Sequence, residues 1–131
     1  MAIRLGVGSR IPIHCTGMGR AYLAALPDGA REALIAQIAV EHEDDWPWAE
    51  PGMRAEIARG QERGFALSHG DWISEANSAG AVVRRADGQP VYALNVGGLR
   101  SVVTTEWLES DLGPRLLGVA RQIEHVGRGM L

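Results

Sequence analysis

The sequence predicts an α+β fold, an antiparallel sheet with flanking helices, and three observations carry that expectation. The apolar segments run in the order strand, three helices, strand, hairpin, helix, without the regular strand–helix alternation of a doubly wound parallel sheet. The tightest turn signal, Asp87-Gly88, sits between two apolar runs and marks an antiparallel hairpin. A chain of 131 residues with 46% hydrophobic and 22% charged residues has an ordinary globular balance and enough length for one core.

The elements follow from local chemistry. Ile3 to Val7 alternates apolar with small or polar residues and reads as a short strand. Ser9 to Ile13 runs extended because the residue before Pro12 avoids the helical region. Thr16 is a suitable N-cap for a first helix carrying Ala21, Leu23, Ala24 and Ala25, which Pro27 ends. Asp28 caps a second helix with Ala30, Leu34 and Ile38 on one face. The acidic stretch from Glu41 to Glu50, with Trp46-Pro47-Trp48 inside it, reads as a loop. Pro51 suits the first turn of a third helix holding Met53 and Ile57, weakened at Gly60 and ended by Gly64. Phe65 to His69, Ala79 to Arg84 and Val91 to Val96 are the later strands. A last helix from near Thr105 places Leu108, Leu112, Leu116, Val119, Ile123 and Val126 on one core-facing stripe, with a kink or broken turn at Gly113-Pro114.

Charge and composition exclude several classes. A formal charge of −3, a pI near 5.8 and scattered arginines do not make the basic stripe that nucleic acid requires. The single cysteine, Cys15, forbids an internal disulfide. No apolar run reaches the roughly 20 residues of a membrane helix, and residues 1–15 lack a signal-peptide pattern. A cytoplasmic chain without membrane contact is the expectation.

The stretch Gly8 to Ala21 carries a family pattern: glycine, arginine, proline and histidine leading into a Thr/Ser-x-x-Gly-Lys-Ala helix start, with Arg20 at the lysine position. Arg63-Gly64-Phe65 matches an Arg-Gly-Tyr entry into a strand. The Asp87-Gly88 hairpin and Ala93 to Gly98 match the paired strands and the small polar segment after them. In this order the chain resembles, over nearly its whole length, the C-terminal effector-binding domain of the IclR transcriptional regulators. It departs at Ser68 to Glu75, where the family has Asp-x-Glu-Glu and then glycine, and only Asp71 keeps an acid nearby.

The resemblance implies a GAF/PAS-like sensing domain over 1–131, lacking its first strands, with the winged helix-turn-helix that meets DNA outside the chain. No catalytic residues, no cofactor and no metal are expected. The partners the resemblance implies are a small-molecule effector and further copies, as homodimer or homotetramer. Carried across, the effector-binding positions are Gly17, Met18, Ser68, Asp71, Asn77, Ser78, Asn95 and Gly97. Physical chemistry adds a placement: a helix N-terminus with exposed amides at Gly17 to Gly19 would seat the carboxylate of a small organic acid. The same glycines also serve a plain helix cap with tight packing.

His14-Cys15 invites a hydrolytic dyad, but neighbours in an extended segment point to opposite faces. His42-Glu43-Asp44-Asp45 offers metal-ligand types without ligand spacing. A scaffold that only oligomerises, helped by exposed Trp46 and Trp48, is the remaining alternative.

Overall fold

The computed structural model describes residues 5–127. Its elements are α1 (Gly17–Ala25), α2 (Asp28–Glu41), α3 (Trp46–Arg63), β1 (Ala66–His69), β2 (Ala76–Arg84), β3 (Pro90–Leu99), α4 (Thr105–Trp107), a π turn (Leu108–Leu112) and α5 (Gly113–Gly127). The strands form one antiparallel sheet in the order β1-β2-β3, which is the α+β class expected.

The sheet is the middle of three layers. Alternation along the central strand sends Ala79, Ala81 and Val83 to one face, where Leu67, Phe65, Leu108 and Ala120 join them under α5. It sends Gly80 and Val82 to the other face, against Ala21, Tyr22 and Ala25 of α1. Ala79 to Val83 are therefore all buried. Outside α1, the helices close a second cluster of Leu23, Ile35, Met53 and Ile57.

Local signals place several boundaries. Thr16 caps α1, its Oγ1 accepting from the Gly19 N–H at 3.1 Å. Gly64 ends α3 in the left-handed region at φ 89°, which a glycine reaches without a Cβ clash. Gly88, at φ 88°, closes the hairpin. Asp87 fixes that turn by accepting from the Gln89 N–H at 3.0 Å and from Arg85, and these two interactions hold its carboxyl below the usual range.

Several expectations differ from the structure, among them the cap of α2, which is Pro27, with Asp28 the first helical residue. Residues 5–7 form no strand, and Ile3 and Arg4 lie outside the described residues. The segment 46–50 is helix, so α3 begins at Trp46 and Pro51 lies inside it. Trp46 explains this, because it packs half-buried on the Leu23–Met53 cluster and recruits the preceding turn. Trp46 is thus not an exposed tryptophan, whereas Trp48 is 81% exposed. β2 and β3 extend beyond the expected runs, from Ala76 and to Leu99. Finally, the break at Gly113-Pro114 is a π turn, with the Gly113 N–H bonded to the Leu108 carbonyl. The wider turn shifts the phase of α5. Its core side continues through Leu116 and Ala120, while Val119, Ile123 and Val126 are exposed.

Among the described residues no helix is long and apolar enough to cross a membrane.

Candidate functional site

Residue 68 of β1, 78 of β2 and 97 of β3 stand side by side in the strand register, forming a row across the α1 face of the sheet. Two serines and a glycine in that row leave a depression that larger side chains would fill. Asn95, two residues along β3 and paired with Gly80, shares this face. The start of α1 and the turn holding Trp72 and Ile73 close the depression into a recess of about 320 Å³. Its lining includes Thr16, Met18, Ser68, Ser78, Asn95 and Gly97. Apolar walls with a few convergent polar groups are the usual design of a small-molecule pocket.

The hydrogen bonds show which polar groups are already engaged. Ser68 Oγ donates to the Cys15 carbonyl at 2.7 Å. Ser78 Oγ accepts from the Gly17 N–H at 3.3 Å, leaving its own O–H to donate elsewhere. The Asn95 amide makes no hydrogen bond among the described residues and is exposed to the recess it lines. Asn77 borders the recess, but its Nδ2 donates to the Val103 carbonyl at 3.0 Å, on the opposite face.

Six of the eight positions carried over by resemblance thus line one recess: Met18, Ser68, Asn77, Ser78, Asn95 and Gly97. Gly17 lies directly behind its wall. Asp71 does not face it: its Oδ2 accepts from Arg20 Nη1 at 2.8 Å and from the His69 N–H at 3.2 Å, and it lines a different cavity. Thr16, Trp72 and Ile73 line the recess and were not among the eight. Their only sequence signal is proximity, within three residues, to positions that were.

The placement of a carboxylate on the Gly17–Gly19 amides is corrected by the geometry. The Gly17 N–H is taken by Ser78 and the Gly19 N–H by Thr16. A Cβ at Gly80 would stand 2.2 Å from the Met18 nitrogen, and one at Gly17 would stand 2.9 Å from the Ala79 and Gly80 backbone. The helix start is pressed against the sheet backbone. Close packing and capping account for these glycines, and their amides are not offered to a ligand.

A second and larger recess, about 610 Å³, lies across the chain from the first. Cys15 and His69 line it, whereas their neighbours Thr16 and Ser68 line the first, so the partition is one backbone thick. Arg20, only 5% exposed, anchors this partition: Nε donates to the His14 carbonyl at 2.9 Å and Nη1 to the Leu67 carbonyl at 3.0 Å. Burial pushes the Cys15 thiol up to about 11, against a smaller opposing pull from Arg20. Burial first, then His42 and Arg20, lowers the pKa of His14, whose ring lies 4.4 Å from that of His42. Among the described residues no group of three or more His, Cys, Asp or Glu side chains is placed to hold a metal ion.

Residues 1–125 match the family described as bacterial transcriptional regulator IclR C-terminal. The chain is 28% identical over 126 residues to the Pca regulon regulatory protein of Pseudomonas putida, covering 95% of itself and 43% of that protein. It superposes with TM-score 0.87 and 29% identity on an IclR-family transcriptional regulator from Brucella abortus, covering 96% of itself and 47% of that chain. At 19% identity and TM-score 0.68 it shares its fold with the PobR inducer-binding domain of Acinetobacter, a double mutant solved with 3-hydroxybenzoic acid. There the coverage is 91% of this chain and 69% of that one. The chain spans less than half the length of the Pseudomonas and Brucella relatives.

Proposed function

This chain belongs to the family of C-terminal domains of bacterial IclR transcriptional regulators, and on that premise we propose that it senses a small organic acid in the recess above Ser68, Ser78 and Gly97. The observation that carries the reading is convergence. Residues from the start of α1, from the 72–73 turn and from all three strands meet around about 320 Å³ of space, with the Ser78 O–H and the Asn95 amide free to donate. The acid's carboxylate sits on these two donors rather than on the α1 amides, and Trp72, Met18 and Ile73 cover its apolar body. The 3-hydroxybenzoic acid in the PobR complex belongs to the class of ligand proposed.

Occupation shifts the balance between two arrangements of the regulator's subunits, by no more than the effector's difference in affinity for them. The regulator works as a homodimer or homotetramer in the cytoplasm, and its DNA contacts are made outside these 131 residues. Its role is not catalytic. A thiol whose pKa is raised to about 11 stays protonated at neutral pH and supplies no nucleophile.

The test is a thermal-shift and calorimetric screen of small aromatic and aliphatic acids, 3-hydroxybenzoate among them. A ligand at a hundred-fold excess over its Kd stabilises the fold by about 2.7 kcal/mol. That gain should be lost in Ser78→Val and Asn95→Leu. A pure scaffold would give no shift with any acid, and that result would defeat the proposal.

A further inference from the structure

The larger recess has a chemistry of its own. One wall is a single face of α3, where Trp48, Ala49, Gly52 and Ala55 recur at helical spacing and leave a shallow apolar groove. At Gly52 an added Cβ would meet nothing within 4 Å, so the groove is open there. Trp48 stands beside it, 81% exposed and without a covering partner among the described residues.

The floor is the Arg20–Asp71 ion pair, and each partner has one face to spare. Arg20 uses Nε and Nη1 for its three hydrogen bonds, and Nη2 makes none. The only side-chain polar atom both enclosed and unpaired among the described residues is His14 Nδ1. Nη2 is therefore not fully enclosed, and Arg20 lines this recess. Asp71 spends Oδ2 on Arg20 and the His69 N–H, while Oδ1 accepts nothing and the side chain is 40% exposed. An unsatisfied cationic donor and an unsatisfied anionic acceptor thus lie next to each other, their bonded atoms 2.8 Å apart. Of the other acids lining the recess, the Glu56 carboxylate accepts from Arg59, Arg63 and the Leu67 N–H, while Asp45 makes no ion pair among the described residues and adds to the negative side.

A simple anion would meet Asp71, and a simple cation would meet Arg20. A ligand carrying both charges on adjacent atoms meets neither penalty. We propose that this recess binds a free α-amino acid with an apolar side chain: carboxylate on Arg20 Nη2, ammonium on Asp71 Oδ1, side chain along the α3 groove against Trp48. The site is distinct from the organic-acid recess, so either assignment can fail alone.

The experiment is isothermal calorimetry on this chain with L-phenylalanine and L-leucine. The comparison ligands are 3-phenylpropionate, which lacks the ammonium, and 2-phenylethylamine, which lacks the carboxylate. Each truncated ligand should bind at least about ten-fold more weakly than L-phenylalanine. Trp48→Ala, at an exposed position that leaves the fold intact, should weaken L-phenylalanine by a similar factor, and Asp71→Asn more. Ser78→Val, in the other recess, should leave it unchanged. Absence of binding by both amino acids at millimolar concentration overturns the proposal. So does equal binding of 3-phenylpropionate, or sensitivity to Ser78→Val without sensitivity to Trp48→Ala.

Discussion

At the scale of single residues, contact distance decides more than chemistry type. Gly80 and Gly17 are where helix and sheet backbones touch, and a methyl at Gly80 would fall 2.2 Å from the Met18 nitrogen. Gly80→Ala should destabilise the fold by about 1–3 kcal/mol or more, as overpacking does, read from urea unfolding. Gly52→Ala, where the added carbon meets nothing, should instead stabilise α3 by up to about 1 kcal/mol. The titrating pair in the 14–15 segment gives opposite pH signatures. His14 has a lowered pKa when folded, so its contribution is present above 6.5 and is lost as pH falls, because the unfolded chain takes up the proton first. Cys15 has a raised pKa, so its contribution is complete below 9.0 and is lost as pH rises towards about 11. A pH series of midpoints on His14→Gln and Cys15→Ala should flatten the acid and alkaline flanks respectively.

At the scale of elements, the junction of α3 and β1 depends on one buried carboxylate. Glu56, 2% exposed, accepts from Arg59, Arg63 and the Leu67 N–H. Glu56→Ala should cost about 1–3 kcal/mol because it strands the buried Leu67 amide and removes the partner of the half-buried Arg63, and chemical denaturation would measure it. Elements like this mark the limit of what was legible beforehand. Thr16, Gly64 and the Asp87-Gly88 turn announced their boundaries because caps and turns are local chemistry. The start of α3 did not, since two prolines and an acidic run read as loop, and only burial of Trp46 against other helices overrules them. The last helix was legible as an element but not in phase, because its π turn is set where Gly113 packs against Phe65, 2.4 Å from where a Cβ would be. In the smaller recess, resemblance pointed to residues that periodicity alone did not, such as Asn95. For the larger recess the sequence singled out Arg20 and Asp71 without showing that they pair, because Trp48, Arg20 and Asp71 meet only through tertiary packing.

At the scale of the whole molecule, the apolar surface left uncovered is informative. Among the described residues β3 pairs only with β2, and Val91, Tyr92 and Leu99 are exposed along it. A free edge with apolar side chains favours strand pairing between copies. Tyr92→Lys should raise the concentration at which the chain remains monodisperse in light scattering, with little change in unfolding midpoint. Val119, Ile123 and Val126 of α5 present a second such surface. The partition between the two recesses has a further practical consequence. Cys15 lines one chamber while the next residue, Thr16, lines the other. A small fluorinated tag attached to this one sulfur after brief unfolding would sit against the dividing wall. Its resonance frequency would then respond to molecules arriving from either side, giving one reporter for two compartments.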